Sequence, residues 1–99
     1  MKLRWSPRAV QRAEEIATYF AQDKPGAARR RLEAIFTAAE TLPESPRRGR
    51  VVPEVGRPEI RELLLGNYRL IYRIETASLS ILTIRHGRQI LDRGEVGVP

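Results

Sequence analysis

One histidine and a surplus of arginines are the groups in this chain equipped to handle a phosphate. His86 is the single histidine in 99 residues, and among the 18 Lys+Arg only Lys2 and Lys24 are lysines. Imidazole gives and takes protons near neutral pH. Internal cleavage of RNA needs a base for the 2′-hydroxyl, a stabiliser for charge gathering on phosphorus and an acid for the leaving oxygen. His86 suits the first or last task, and Arg61, Arg69, Arg85 and Arg88 carry the forked donors that clamp a phosphate. Against this stands the ordinary role of a lone histidine at a strand end, a surface or hydrogen-bonded residue.

Two further basic groups stand out. Arg47-Arg48-Gly49-Arg50 lies between prolines, in a loop from which it can reach phosphates or an acidic partner without disturbing a core. Arg29-Arg30-Arg31 takes three successive helical positions, too wide a spread for one binding stripe, and reads as a solvated helix face. The formal charge of +6, carried mainly by arginine, points to nucleic acid, a nucleic-acid machine or an acidic partner, although arginine-favouring codon usage gives the same composition.

Other chemistries are excluded. With no cysteine and one histidine, disulfides, thiolate nucleophiles and multi-histidine or cysteine metal sites fall away. The carboxylates are not at metal-ligand spacings and there is no phosphate-cradling glycine loop, so neither metal nor cofactor is implied. Met1-Lys2-Leu3-Arg4-Trp5 lacks the apolar run of a signal peptide and no stretch is long enough to span a bilayer, so the expectation is a cytoplasmic protein with no membrane partner.

The elements that must position these residues follow from hydrophobic periodicity. Leu3 and Trp5 alternate with Arg4 as in a short strand, and Ser6-Pro7 supplies an N-cap followed by proline at the first helical position. Val10, Ala13, Ile16, Ala17 and Phe20 form one helical stripe; Asp23-Lys24-Pro25-Gly26 breaks it; Ala28, Leu32, Ile35, Ala39 and Leu42 form a second. The proline-rich stretch from Pro43 to Pro58 predicts loop with a short strand at Val51-Val52. Ile60–Leu65, Tyr68–Glu75 and Leu79–His86 read as three strands, and a two-residue Gly66-Asn67 turn sets Leu65 opposite Tyr68, Leu63 opposite Leu70 and Arg61 opposite Tyr72 on one face.

The pattern leaves the register of the last strand open. The expected architecture is α+β: an N-terminal strand and a two-helix hairpin packed on a small, mostly antiparallel sheet in the order β-α-α-β-β-β, with the second face partly open. Residues 1–99 read as one domain, with 89–99 a loosely held tail.

Several markers in order along this topology resemble the RelE/ParE toxins of type II toxin–antitoxin systems. They are Trp5-Ser6-Pro7-Arg8-Ala9, Asp23-Lys24-Pro25-Gly26-Ala27-Ala28, Leu42-Pro43-Glu44-Ser45-Pro46, Ile60-Arg61-Glu62-Leu63, Tyr68-Arg69-Leu70-Ile71-Tyr72-Arg73 and Ile81-Leu82-Thr83-Ile84-Arg85-His86-Gly87-Arg88. The resemblance implies a growth-inhibiting toxin, of the kind linked to plasmid stabilisation, held inactive by a co-expressed antitoxin in a complex that can be of higher order.

ParE-type members of the family poison DNA gyrase, whereas RelE-type members cut messenger RNA on the ribosome. RelE-like nucleases often carry a tyrosine or histidine near the carboxyl end; after His86 this chain has neither. That absence and the Pro25-Gly26-Ala27-Ala28 run favour the ParE type. The alternatives are the ribosome-dependent nuclease, with His86, Arg61 and Arg88 as its catalytic set, and a non-toxic antitoxin-binding relative. Arg61 and Arg88 match arginines recurrent in the family. Arg47, Arg48, Arg50, Arg61, Arg69, Arg85 and Arg88 are the expected contacts to target or antitoxin.

Overall fold

The computed structural model describes residues 1–21, 25–87 and 91–97. The break expected at Asp23-Lys24, the side chain of Arg88 and the outer parts of the C-terminal tail lie outside them. Strand β1 (Lys2–Trp5) leads into helices α1 (Pro7–Ala21) and α2 (Pro25–Thr41), followed by strands β2 (Arg50–Val51), β3 (Ile60–Leu65), β4 (Tyr68–Ile74) and β5 (Ser78–His86). The strands form one sheet in the order β1-β5-β4-β3-β2. The β1–β5 pair is parallel and the rest antiparallel, so the expected α+β order holds, with β2 one residue earlier than the Val51-Val52 reading.

Ser6 makes the corner between β1 and α1. Its N–H donates to the Ile81 carbonyl at 2.9 Å, which ends the strand pairing. Its hydroxyl accepts the Ala9 N–H at 3.0 Å, satisfying an otherwise orphaned donor of the first helical turn, and donates to the Leu82 carbonyl at 2.8 Å. One small side chain thus caps the helix and pins it to β5.

The hairpin between β3 and β4 has the expected register, Leu65 opposite Tyr68, Leu63 opposite Leu70 and Arg61 opposite Tyr72. Gly66 has φ 58°, a backbone conformation that glycine adopts at little cost. In β5 the partners step from Thr83 opposite Ile71 to Ile81 opposite Tyr72, so Leu82 is an extra residue, a bulge. Leu79 and Ile81 face the helices before it, and Ile84 after it. The reversal of parity is why simple alternation does not fix this strand's register.

Two cores sandwich the sheet. Ala9, Ala13 and Ile16 of α1 and Ile35 and Ala39 of α2 bury the helix-facing side against Leu70, Tyr72, Leu79 and Ile81. The opposite face is covered over part of its extent, and Leu64 on it keeps 56% of its surface exposed. Val52 and Val55 from the β2–β3 loop and Leu91 and Val96 from the C-terminal segment close over Ile60 and Ile71.

Over 91–97 the tail expected to be loosely held is therefore packed. Leu91 and Val96 are buried, residues Arg93–Val96 form a 3-10 turn, and Arg73 donates to the Val96 carbonyl at 3.2 Å. A chain this short gains from burying apolar side chains on both faces of its sheet.

Candidate functional site

The basic and acid–base residues singled out in the sequence fall into three separate places. At one end of the sheet His86 lies opposite Tyr68, with their rings 5.9 Å apart and inclined at 75°. Together with Arg12, Glu15, Tyr19 and Arg85 they line a cleft of about 280 Å³. Tyr68 is half-buried at the cleft wall, and desolvation raises its pKa while the positive charge of Arg31 opposes the rise. Arg85 is also paired: its guanidinium lies 3.4 Å from Glu95, a carboxylate that also meets Arg12 at 3.4 Å and accepts the Thr83 hydroxyl at 2.7 Å. Glu95 thereby straps the C-terminal turn to β5 and α1, and Arg85 serves that strap.

Arg61 sits at the other end. It lies opposite Tyr72, four residues along β4 from Tyr68, and β3 and β5 flank β4 on opposite sides. At about 3.3 Å per residue and about 4.8 Å per strand, Arg61 and His86 are roughly 16 Å apart on the sheet. The structure therefore does not bring the expected catalytic pair together, and the third member, Arg88, lies outside the described residues. Among the described residues Arg61 pairs with no acid. Its Nε donates to the Pro58 carbonyl at 2.8 Å and its terminal nitrogen to the Gly49 carbonyl at 2.9 Å.

Beside it the chain passes through a 3-10 turn, Pro46–Arg48, into β2. The Tyr72 hydroxyl holds this passage by donating to the Pro46 carbonyl at 2.6 Å and accepting the Gly49 N–H at 2.9 Å. Burial raises the Tyr72 pKa; the Gly49 N–H and the charges of Arg61 and Arg48 oppose the rise. A Cβ on Gly49 would come within 2.6 Å of both the Glu62 carbonyl and that hydroxyl, so only glycine fits. Arg47, Arg48 and Arg50 are exposed, as the loop reading expected.

Arg69 departs from expectation most. Placed among the residues that would contact a target, it is instead buried, 5% exposed, on the face away from the helices. It donates twice to Glu54, at 2.8 Å each, and through Nε to Glu62 at 2.6 Å. Glu62, whose side chain is fully buried, also takes Arg50 Nε at 2.6 Å. Two arginines and two carboxylates so neutralise one another. Hydrogen bonding from Arg69 chiefly, with the Leu91 N–H adding to it against the effect of burial, lowers the Glu54 pKa to about 2. The glutamates were missed because their partners come from other strands and loops, which spacing along one chain does not reveal.

On the helical side lies an apolar groove of about 280 Å³, lined by Trp5, Val10, Ala13, Ala17, Leu32 and Phe36, with Glu14 at its border. Trp5 and Phe36 meet edge to face at 5.2 Å. Val10 and Phe36 keep 44% and 40% of their surface exposed, so the helical hairpin presents apolar side chains to solvent on the side away from the arginine edge. Among the described residues no three histidines, cysteines or acids converge on a metal-sized site, and no helix is long and apolar enough to cross a membrane.

The chain thus combines a strand, a helical hairpin and a strand meander with a basic rim and an exposed apolar groove. The chain belongs to the family described as "ParE toxin of type II toxin-antitoxin system, parDE", whose sequence profile matches residues 3–91. It is 40% identical over 91 residues to the protein named "Putative toxin Y4kP" of Sinorhizobium fredii (strain NBRC 101917 / NGR234), an alignment covering 89% of this chain and 90% of that one. Its fold is similar to a chain of the solved "Chromosomal ParDE TA system from P. aeruginosa", with a TM-score of 0.74, 21% identity, and 87% and 95% of the two chains covered.

Proposed function

We propose that this chain, as a single domain over 1–99, inhibits DNA gyrase in the cytoplasm and is neutralised by a co-expressed antitoxin. The observation that carries the reading is the separation of His86 from Arg61 by two strand steps and four residues. A phosphodiester cleavage site needs its proton-transfer group and its phosphate clamp within hydrogen-bond reach of one substrate. With Arg85 engaged by Glu95 as well, the arrangement favours inhibition by binding. The apolar groove at Trp5, Val10 and Phe36 suits an amphipathic segment of the antitoxin, which would insert apolar anchors there.

The ribosome-dependent nuclease is the second reading, and the cleft shared by Tyr68, His86 and Arg12 is the observation that favours it. Supercoiling and DNA-cleavage assays with purified gyrase separate the two. Inhibition or trapped cleavage complexes, reversed by the antitoxin, are expected. A folded protein that leaves active gyrase untouched and instead cuts messenger RNA on ribosomes overturns the reading.

A further inference from the structure

We infer that the edge formed by Arg47, Arg48, Arg57 and Arg61 docks on the phosphate backbone of duplex DNA, independently of which protein the toxin inhibits. Segment 47–61 contains five arginines and two glutamates. Arg50 is spent on Glu62, and Glu54 on Arg69. Among the described residues no carboxylate lies within ion-pair distance of Arg47, Arg48, Arg57 or Arg61, so the outer edge keeps its positive charge.

The geometry gathers these arginines. Arg61 binds the carbonyls of both Gly49 and Pro58, which brings the turn carrying Arg47 and Arg48 beside the turn carrying Arg57. A guanidinium has five N–H donors, and these two bonds use two of them. Arg48 reaches back to the Ala38 carbonyl at 3.3 Å, and its charge, like that of Arg61, acts on the Tyr72 hydroxyl. The backbone under the arginines is fixed by Tyr72 and by the tight passage at Gly49, so it needs no ordering when a ligand arrives.

The surroundings select the ligand. Proteins that bind single-stranded nucleic acid stack its bases on aromatic rings. The ring at this edge, Tyr72, is fully buried, and among the described residues the exposed aromatics Tyr19 and Phe36 are on the helices. A protein partner would seek an apolar anchor, and the groove that offers one lies between Trp5 and the helices. Guanidinium groups on a rigid edge fit backbone phosphates, which position a duplex without reading its sequence.

The test is fluorescence anisotropy of a fluorescein-labelled, mixed-sequence DNA duplex titrated with the full chain. The salt range is about 50 to 200 mM, where each lost phosphate contact lowers the steepness of log affinity against log salt by about 0.9. The variant Arg47→Gln/Arg48→Gln/Arg57→Gln is expected to lose roughly two to three such contacts and at least about tenfold in affinity at the low-salt end. Arg8→Gln/Arg29→Gln/Arg30→Gln removes the same charge from the helices and is expected to keep the wild-type slope. Circular dichroism checks the fold, and Arg47→Gln/Arg57→Gln, whose side chains make no hydrogen bond among the described residues, serves if the triple variant unfolds. Equal losses in both sets overturn the inference. So does displacement of the duplex by single-stranded RNA or polyglutamate as effectively as by unlabelled duplex.

Discussion

Arg69 grips Glu54 with both terminal nitrogens of its guanidinium at 2.8 Å, and the same carboxylate accepts the Leu91 N–H at 3.1 Å. Glu62 completes the arrangement through Arg69 Nε. Strands β3 and β4, the loop over 52–58 and the C-terminal segment are thus joined by a cluster in which Arg69 and Glu62 are buried and Glu54 is partly exposed. Arg93 adds a bond to the Glu54 carbonyl at 3.2 Å. The C-terminal segment over 91–97 is positioned by this cluster.

Arg69→Met should destabilise the fold by about 3–5 kcal/mol, because it leaves Glu54 without its main partner and Glu62 buried with Arg50 alone. Urea unfolding followed by circular dichroism measures it. A loss below about 1 kcal/mol, the range of an exposed pair, would show that the cluster is solvated in solution.

The acid side of the stability profile should carry the signature of Glu54. Its folded pKa is lowered from 4.5 to about 2. A lowered folded pKa contributes stability that is present above the unfolded value and fades as pH falls from about 4.5 toward about 2. The stability gap between wild type and Glu54→Gln, measured by urea titration, should be constant near neutrality and shrink through that window. A gap independent of pH would place Glu54 outside the ion pair.

Tyr72→Phe should cost about 1–3 kcal/mol, since it strands the Gly49 N–H and the Pro46 carbonyl in a buried place. Gly49→Ala should lower the melting temperature further, as its Cβ meets a backbone oxygen that cannot move aside. Thermal melts of both variants check the order; a Gly49→Ala protein as stable as wild type would mean the passage is looser than described.

Growth arrest on induction should depend on where arginines are removed. Arg61→Ala/Arg88→Ala should relieve arrest more than Arg29→Ala/Arg30→Ala, because we propose the first pair for the functional surface and the second lies on an exposed helix face. Colony counts after induction, with folding verified, give the comparison. Equal relief by both pairs would remove Arg61 and Arg88 from the functional surface.

Local rules made much of this protein legible from its sequence. Ser6-Pro7 announces a helix start because serine caps and proline occupies a position that needs no N–H. Gly66-Asn67 sets the β3–β4 register because a two-residue turn leaves no freedom in strand pairing. Period-3.6 and period-2 stripes separated helices from strands, and the order of the elements with their markers pointed to the toxin family now matched over residues 3–91.

The tertiary structure decided everything that depends on residues distant in the chain. Whether Arg69 is a surface clamp or a core cation turned on Glu54 and Glu62 meeting it across strands and loops. The bulge at Leu82 reversed the facing of β5, since one inserted residue swaps the faces of all that follow. Leu91 and Val96 closed part of a sheet face that looked open, because two apolar residues in a glycine-containing tail carry no periodicity to announce their burial. His86 and Arg61, equivalent in the sequence as candidates for one reaction, are held apart by two strand spacings and four residues. Chemistry requires proximity, and proximity between remote residues is set by how the sheet assembles.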